Sequence, residues 1–152
     1  MSPTFSKLNL KDQAEILVLN APASFEPELA TLRGVTVRRA IKDIDAVAFS
    51  LAFVIAQKDV DTLGKAVAAK AAGDAVVWFA YPKGTSKKYT SGINRDHGWD
   101  VLGKAGFEPV RSVAIDEDWS AIRFRRVDFI KKMVRPTEHR MTAKGKARAA
   151  KR

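Results

Sequence analysis

"DAVVWFAYP" (residues 74–82) is the stretch that decides the fold. Seven apolar residues run unbroken from Ala75 to Tyr81, and Val, Trp, Phe and Tyr dominate them. The run is too short for a helix and rich in residues that favour strands, so it predicts a strand buried on both faces. Upstream, "DAVAFSLAFV" (45–54) has the same character. Between the two lies "KDVDTLGKAVAAKAAG" (58–73), where Val60, Leu63, Val67 and Ala71 share one helical face. Asp59 and Asp61 suit the helix start, and Gly73 is the expected stop. Strand, helix and strand in this order indicate an α/β fold with a mainly parallel sheet.

The flanks extend the pattern. "AEILVLNAP" (14–22) and "VTVRRA" (35–40) predict two more strands. "SFEPELATLRG" (24–34) predicts a helix between them, with Ser24 as cap and Gly34 as stop. Beyond residue 82, a helix is expected over 93–105, capped by Asn94 or Ser91 and ended by Gly106. "EPVRSVAI" (108–115) and "SAIRFRRV" (120–127) are strands joined by "DEDW", and so short a link makes them antiparallel neighbours. After about Lys131 the apolar periodicity fades and Pro136 interrupts it. The expected organisation is one α/β domain over 1–130 and a flexible basic tail over 131–152.

Composition narrows the function classes. The chain has 152 residues, 46% of them hydrophobic, which is enough for a real core. It has no cysteine, so disulfides, thiolate metal sites and cysteine nucleophiles are excluded, in keeping with a reducing compartment. The start "MSPTFSKLNLKDQ" lacks the pattern of a signal peptide, and the longest apolar run is about half a membrane span. A cytoplasmic protein is expected. The net charge is +10, but residues 131–152 carry nine Lys/Arg against one acid, Glu138. The body is close to neutral, so the basic pI belongs to the tail.

The order of elements from Asp45 to Arg126 resembles the second half of a class I methyltransferase fold. The corresponding stretches are "DAVAFSLAFV", "VDTLGKAVAAKAAG", "DAVVWFAYP", "WDVLGKAGF" and "PVRSVAI…SAIRFRR". More narrowly, "LVLNAP", "YPKGTSKKY", "INRDHGW" and "DEDWSAIRFR", in this order across residues 16–126, resemble a small uncharacterised bacterial family with a shortened methyltransferase-like fold. The resemblance implies a Rossmann-like sheet with a shortened N-terminal half and supplies no reaction. S-adenosylmethionine binding asks for a Gly-rich turn after the first strand and an acid after the second. This chain has "NAPASF" and Arg38–Arg39 at those places. No cofactor is therefore expected.

Four stretches carry candidate chemistry. In "YPKGTSKKYTSG" (81–92), Lys83, Lys87 and Lys88 can neutralise an anion and Gly84 permits close approach. Thr85, Ser86, Thr90 and Ser91 can donate hydrogen bonds. Ligands of parallel α/β sheets bind beyond the carboxyl ends of strands, which is where this loop is expected. Asn94 and Arg95 at the expected helix start would complete an anion site; the competing reading is a solvated loop. In "NRDHGW", Asp96 and His97 are the candidate proton-handling pair, with Asp96 able to orient His97 or to pair with Arg95. Helix capping alone also accounts for these residues. In "DEDWSAIRFRR", Asp116, Trp119, Arg123 and Arg125 could support a site, or be an ordinary turn, core and surface charges. In the tail, Lys144, Lys146, Arg148, Lys151 and Arg152 could contact nucleic-acid phosphates without sequence preference. Two histidines cannot supply an ordinary metal-ligand set, so no metal is expected.

Three functions follow as expectations. The first is a non-catalytic anion- or nucleotide-binding regulatory module. The second is an enzyme on a small anionic substrate, divergent methyltransferases included. The third is a nucleic-acid-binding protein acting through its tail. No membrane partner is expected.

Overall fold

The computed structural model describes residues 3–130, so the expected basic tail with Lys144, Lys146, Arg148, Lys151 and Arg152 lies outside the described residues. The described elements are α1 (Pro3–Lys7), β1 (Glu15–Leu19), α2 (Glu26–Leu29), β2 (Thr36–Arg38), β3 (Val47–Phe53), α3 (Gln57–Lys70), β4 (Ala71–Pro82), α4 (Asp100–Lys104), β5 (Phe107–Ala114) and β6 (Trp119–Arg126). The fold class is α/β. All six strands form one mixed sheet in the order β2-β1-β3-β4-β6-β5. β1 to β4 run parallel, and β6 lies antiparallel between β4 and β5.

The two-sided apolar runs are buried as their patterns demand. Alternate residues of one strand supply two different cores. Leu17, Ala52, Val77, Phe79, Ile122 and Phe124 face α3 and α4, where Val60, Val67 and Leu102 meet them. Ile16, Val18, Phe49, Leu51, Trp78 and Ala121 face the other side, where Phe5, Leu8, Phe25 and Leu29 cover them. A five-residue helix such as α1 has no stability alone. It exists because Phe5 and Leu8 are fully buried and because Trp78 Nε1 donates to the Leu8 carbonyl at 2.7 Å.

Local expectations fail where tertiary contacts outweigh local signals. Ser24 does not cap a helix: a 3-10 turn over Ala23–Phe25 buries Phe25 instead, and α2 is a single turn. Gly73 does not stop α3, which ends at Lys70. There the ammonium of Lys70 donates to the carbonyls of Ile41 and Ile44 at 2.7 and 2.6 Å. β4 begins at Ala71, paired with Val47, and Gly73 at φ +55° bends the strand's first turn, a conformation glycine adopts freely.

Both sheet edges are blunted. β2 has three residues, and β5 carries Pro109 beside a register shift before Arg111. Proline and irregularity of this kind discourage further strand pairing. No helix among the described residues is long and apolar enough to cross a membrane.

Candidate functional site

The strand order reverses direction between β1 and β3: β2 lies on one side of β1, while β3 and β4 lie on the other. Open α/β sheets bind ligands at such a reversal, beyond the carboxyl ends of the strands. Four connections meet at that end: residues 20–25 after β1, 54–56 after β3, 83–99 after β4, and the 115–118 turn that leads into β6.

The first two leave little room for a ligand. Asn20 takes φ +58°, which asparagine tolerates better than most residues, and its Nδ2 lies 3.5 Å from the Phe53 carbonyl. Phe25 and Phe53 pack with ring centroids 5.1 Å apart, Phe53 and Trp119 are 5.1 Å apart, and Trp119 and Tyr89 are 4.9 Å apart. An aromatic row therefore fills the space under the strand ends. The first backbone N–H groups before α3 are occupied from within: Asp59 Oδ2 accepts from Ile55 and Ala56 at 3.2 and 3.0 Å. That carboxylate stands where an anion could otherwise meet the helix dipole.

The lysine loop has a defined shape. Lys83 N donates to the Asp118 carbonyl at 2.8 Å and Ser86 N to the Lys83 carbonyl at 3.0 Å. The Ser86 hydroxyl donates to Asp118 Oδ1 at 2.8 Å while accepting from the N–H groups of Lys88 and Tyr89, each at 3.2 Å. Further on, the Ser91 hydroxyl donates to the Ile55 carbonyl at 2.5 Å. Gly84, Thr85, Lys87, Lys88 and Thr90 are exposed, and Lys83 is half-buried. The four ion pairs seen among the described residues involve none of the three lysines. Ser86 is thus a scaffold residue, whereas the three lysines have no ion-pair partner among the described residues.

The expected helix start at residues 94–96 is absent. Asn94 does cap, but it caps its own turn: Oδ1 accepts from Asp96 and His97 N–H at 2.8 and 3.0 Å. Gly98 at φ +105° then redirects the chain, and α4 begins only at Asp100. Trp99 is buried, with Nε1 donating to the Asn94 carbonyl at 2.8 Å. The anion site consequently gains no helix dipole from Asn94 and Arg95. Asp96 lies 3.7 Å from Arg95, and both are well exposed. His97 is exposed, and its described contacts are through its backbone.

The remaining candidates separate. Asp116 Oδ1 accepts from Asp118 and Trp119 N–H at 2.8 and 2.9 Å, so it shapes the turn. Trp119 is 2% exposed and belongs to the core, although its Nε1 finds no hydrogen-bond partner. Arg123 and Arg125 do not support the loop. Trp119 lies opposite Pro82 at the loop end, and Arg123 lies opposite Trp78, about 13 Å further along at 3.3 Å per residue. Arg125 is bound bidentately to Asp74 at 2.8 and 2.7 Å.

Sequence reasoning missed Tyr89 and Asn20 as builders of this end of the molecule. Only Asn20 left a local signal, an asparagine just before Ala-Pro at a strand end. A groove of about 490 Å³ between the starts of α3 and α4 is lined by Gln57, Asp61, Gly98, Asp100, Val101 and Lys104, and shares no residue with the lysine loop. Among the described residues, no group of three or more His, Asp or Glu is arranged to hold a metal ion. A scan against protein-family models gives no match, and neither does a search of the curated proteins.

Proposed function

We propose that the chain is a non-catalytic anion-binding module built on a shortened, methyltransferase-like sheet. Its ligand is a nucleotide or another small phosphate-bearing molecule held by Lys83, Lys87 and Lys88. The observation that carries this reading is the lysine loop itself. Its backbone is fixed by Asp118 and Ser86, yet its three cations have no anionic partner among the described ion pairs. A preformed loop of this kind loses little conformational freedom on binding.

The methyltransferase-like assignment draws support from the reversal between β1 and β3 and from the antiparallel pair that closes the sheet. The non-catalytic assignment draws support from two features. Arg38 and Arg39, in place of a ribose-binding acid, pair with Glu15 at 2.5 Å and Glu26 at 2.7 Å. Among the described hydrogen bonds and ion pairs none joins the side chains of Asp96 and His97, and both residues are exposed.

Thermal-shift measurements on the full chain test the reading with inorganic phosphate, adenine and guanine nucleotides, S-adenosylmethionine and S-adenosylhomocysteine. At a ligand concentration about 100 times Kd, the stabilisation reaches about 2.7 kcal/mol. A phosphate compound should raise Tm in the parent and not in the Lys83→Ala/Lys87→Ala/Lys88→Ala variant. No shift with any phosphate compound would overturn the anion site. A shift with S-adenosylmethionine would instead return the chain to the enzymes.

A further inference from the structure

The lysine loop carries an aromatic residue that an anion site alone does not use. Tyr89 follows Lys88 directly. It is half-buried: it packs on Trp119 at a ring-centroid distance of 4.9 Å and keeps part of its surface in solvent. Trp119 is 2% exposed and meets Phe53 edge-on at 5.1 Å, so the support under Tyr89 is fixed. The backbone is held as well. Tyr89 N–H donates to Ser86 Oγ at 3.2 Å, and the Ser86 hydroxyl is anchored on Asp118. That backbone bond is the one described hydrogen bond of Tyr89, which leaves its hydroxyl uncommitted. A tyrosine so held gives up little conformational freedom when a second flat group stacks on it.

The acids nearest the loop are engaged within their own turn. Asp116 Oδ1 accepts from two N–H groups, and Asp118 Oδ1 accepts from Ser86. Neither pairs with Lys83, Lys87 or Lys88 among the described ion pairs.

Three features narrow the ligand class. A lysine ammonium binds phosphate as a point charge, and three of them within residues 83–88 suit a chain of phosphates better than a single one. An aromatic ring beside them suits a nucleobase, since every base has a π-face. Tyr89 is also the only Phe, Tyr or Trp in residues 83–98, so the loop offers a stacking surface for one base and not for a strand.

We propose that Tyr89 makes the lysine loop a site for nucleoside polyphosphates, with the phosphates on Lys83, Lys87 and Lys88 and the base stacked on the Tyr89 ring. The inference rests on the anion-binding reading of the loop and narrows it from phosphate compounds in general. Stacking reads the face of a base and not its edge, so adenine and guanine are bound alike.

Isothermal titration calorimetry of the full chain tests the proposal with ADP, GDP and inorganic pyrophosphate at one ionic strength. The readout is the ratio of nucleotide to pyrophosphate affinity, which cancels binding by charge alone anywhere on the chain. In the parent, ADP and GDP should each bind about tenfold more tightly than pyrophosphate. Tyr89→Phe should keep that preference, and Tyr89→Leu, which still covers Trp119 with an apolar side chain, should bring the ratio close to one. Equal affinity for ADP and pyrophosphate in the parent would overturn the inference and leave the anion site standing, whether or not the variants fold. A preference that survives in Tyr89→Leu would overturn the role of Tyr89, and one lost in Tyr89→Phe would overturn stacking. Binding of none of the three compounds, or binding unchanged in Lys83→Ala/Lys87→Ala/Lys88→Ala, would overturn the anion site and the inference with it.

Discussion

Asp74 holds β4 and β6 together at their solvent end through both of its carboxylate oxygens. Hydrogen bonding from Arg125 keeps its carboxyl below the ordinary range, against a smaller opposing effect of burial. A carboxyl with a lowered folded-state pKa adds stability above its unfolded value, about 3.9, and loses it as pH falls through the folded value. The pair is about one-third exposed, so solvent screening keeps the effect modest. In Asp74→Asn, the drop in Tm between neutral and strongly acidic pH should be smaller than in the parent, mainly because the variant starts lower at neutral pH. Parallel Tm–pH curves for the two proteins would show that the pair contributes nothing measurable. The same pair holds Arg125 against Asp74, away from the 116–118 turn. A sequence lists Arg123 and Arg125 beside the acidic 116–118 turn, but a strand carries each residue about 3.3 Å further away, and Arg125 meets an acid 51 positions upstream.

At the scale of elements, the contact between α3 and α4 turns on Gly64. A Cβ at this position would lie 2.8 Å from Val101 Cγ1, and Val101 has a short, stiff side chain. Alanine in mid-helix ordinarily gains about 1 kcal/mol over glycine. Overpacking costs about 1–3 kcal/mol. Gly64→Ala should therefore be neutral to destabilising by up to about 2 kcal/mol in denaturant unfolding, the difference between those ranges. A gain of a full 1 kcal/mol would show that α4 moves aside at no cost.

That contact also marks the limit of what could be read in advance. Long apolar runs such as 45–54 and 74–82 announce strands because nothing else satisfies two buried faces. The helix over 58–73 was legible from its spacing, within three residues at its end. Residues 93–99 were not legible. Asn94 is as good a cap for a tight turn as for a helix, and the choice rests on Trp99 reaching back to the Asn94 carbonyl and on Gly98 at positive φ. The lysine loop was placed correctly at a strand's carboxyl end, and its scaffold reaches across to Asp118, 32 residues from Ser86.

For the molecule as a whole, one face of the sheet depends on a short N-terminal segment. Phe5, Leu8 and Leu10 seal Trp78, and the indole N–H of Trp78 ties the segment down at the Leu8 carbonyl. Trp78→Phe keeps a large aromatic ring and removes this bond. The expected loss is about 1–3 kcal/mol, for a buried carbonyl left without its donor. Amide exchange should quicken first in residues 3–10, where the segment lifts from the sheet. Unchanged exchange there would mean that packing alone holds α1.

The position of β6 between β4 and β5 has a further consequence, in the order of birth. A ribosome releases β5 before β6, and β5 then has no neighbour in the sheet to pair with. Until residues 119–126 have emerged, the nascent chain carries a lone strand whose Phe107 belongs in the core. Folding during synthesis can assemble β1 to β4, but closure of the sheet waits for the final strand. The interval between the two strands is thus the stage at which a chaperone has most to shield.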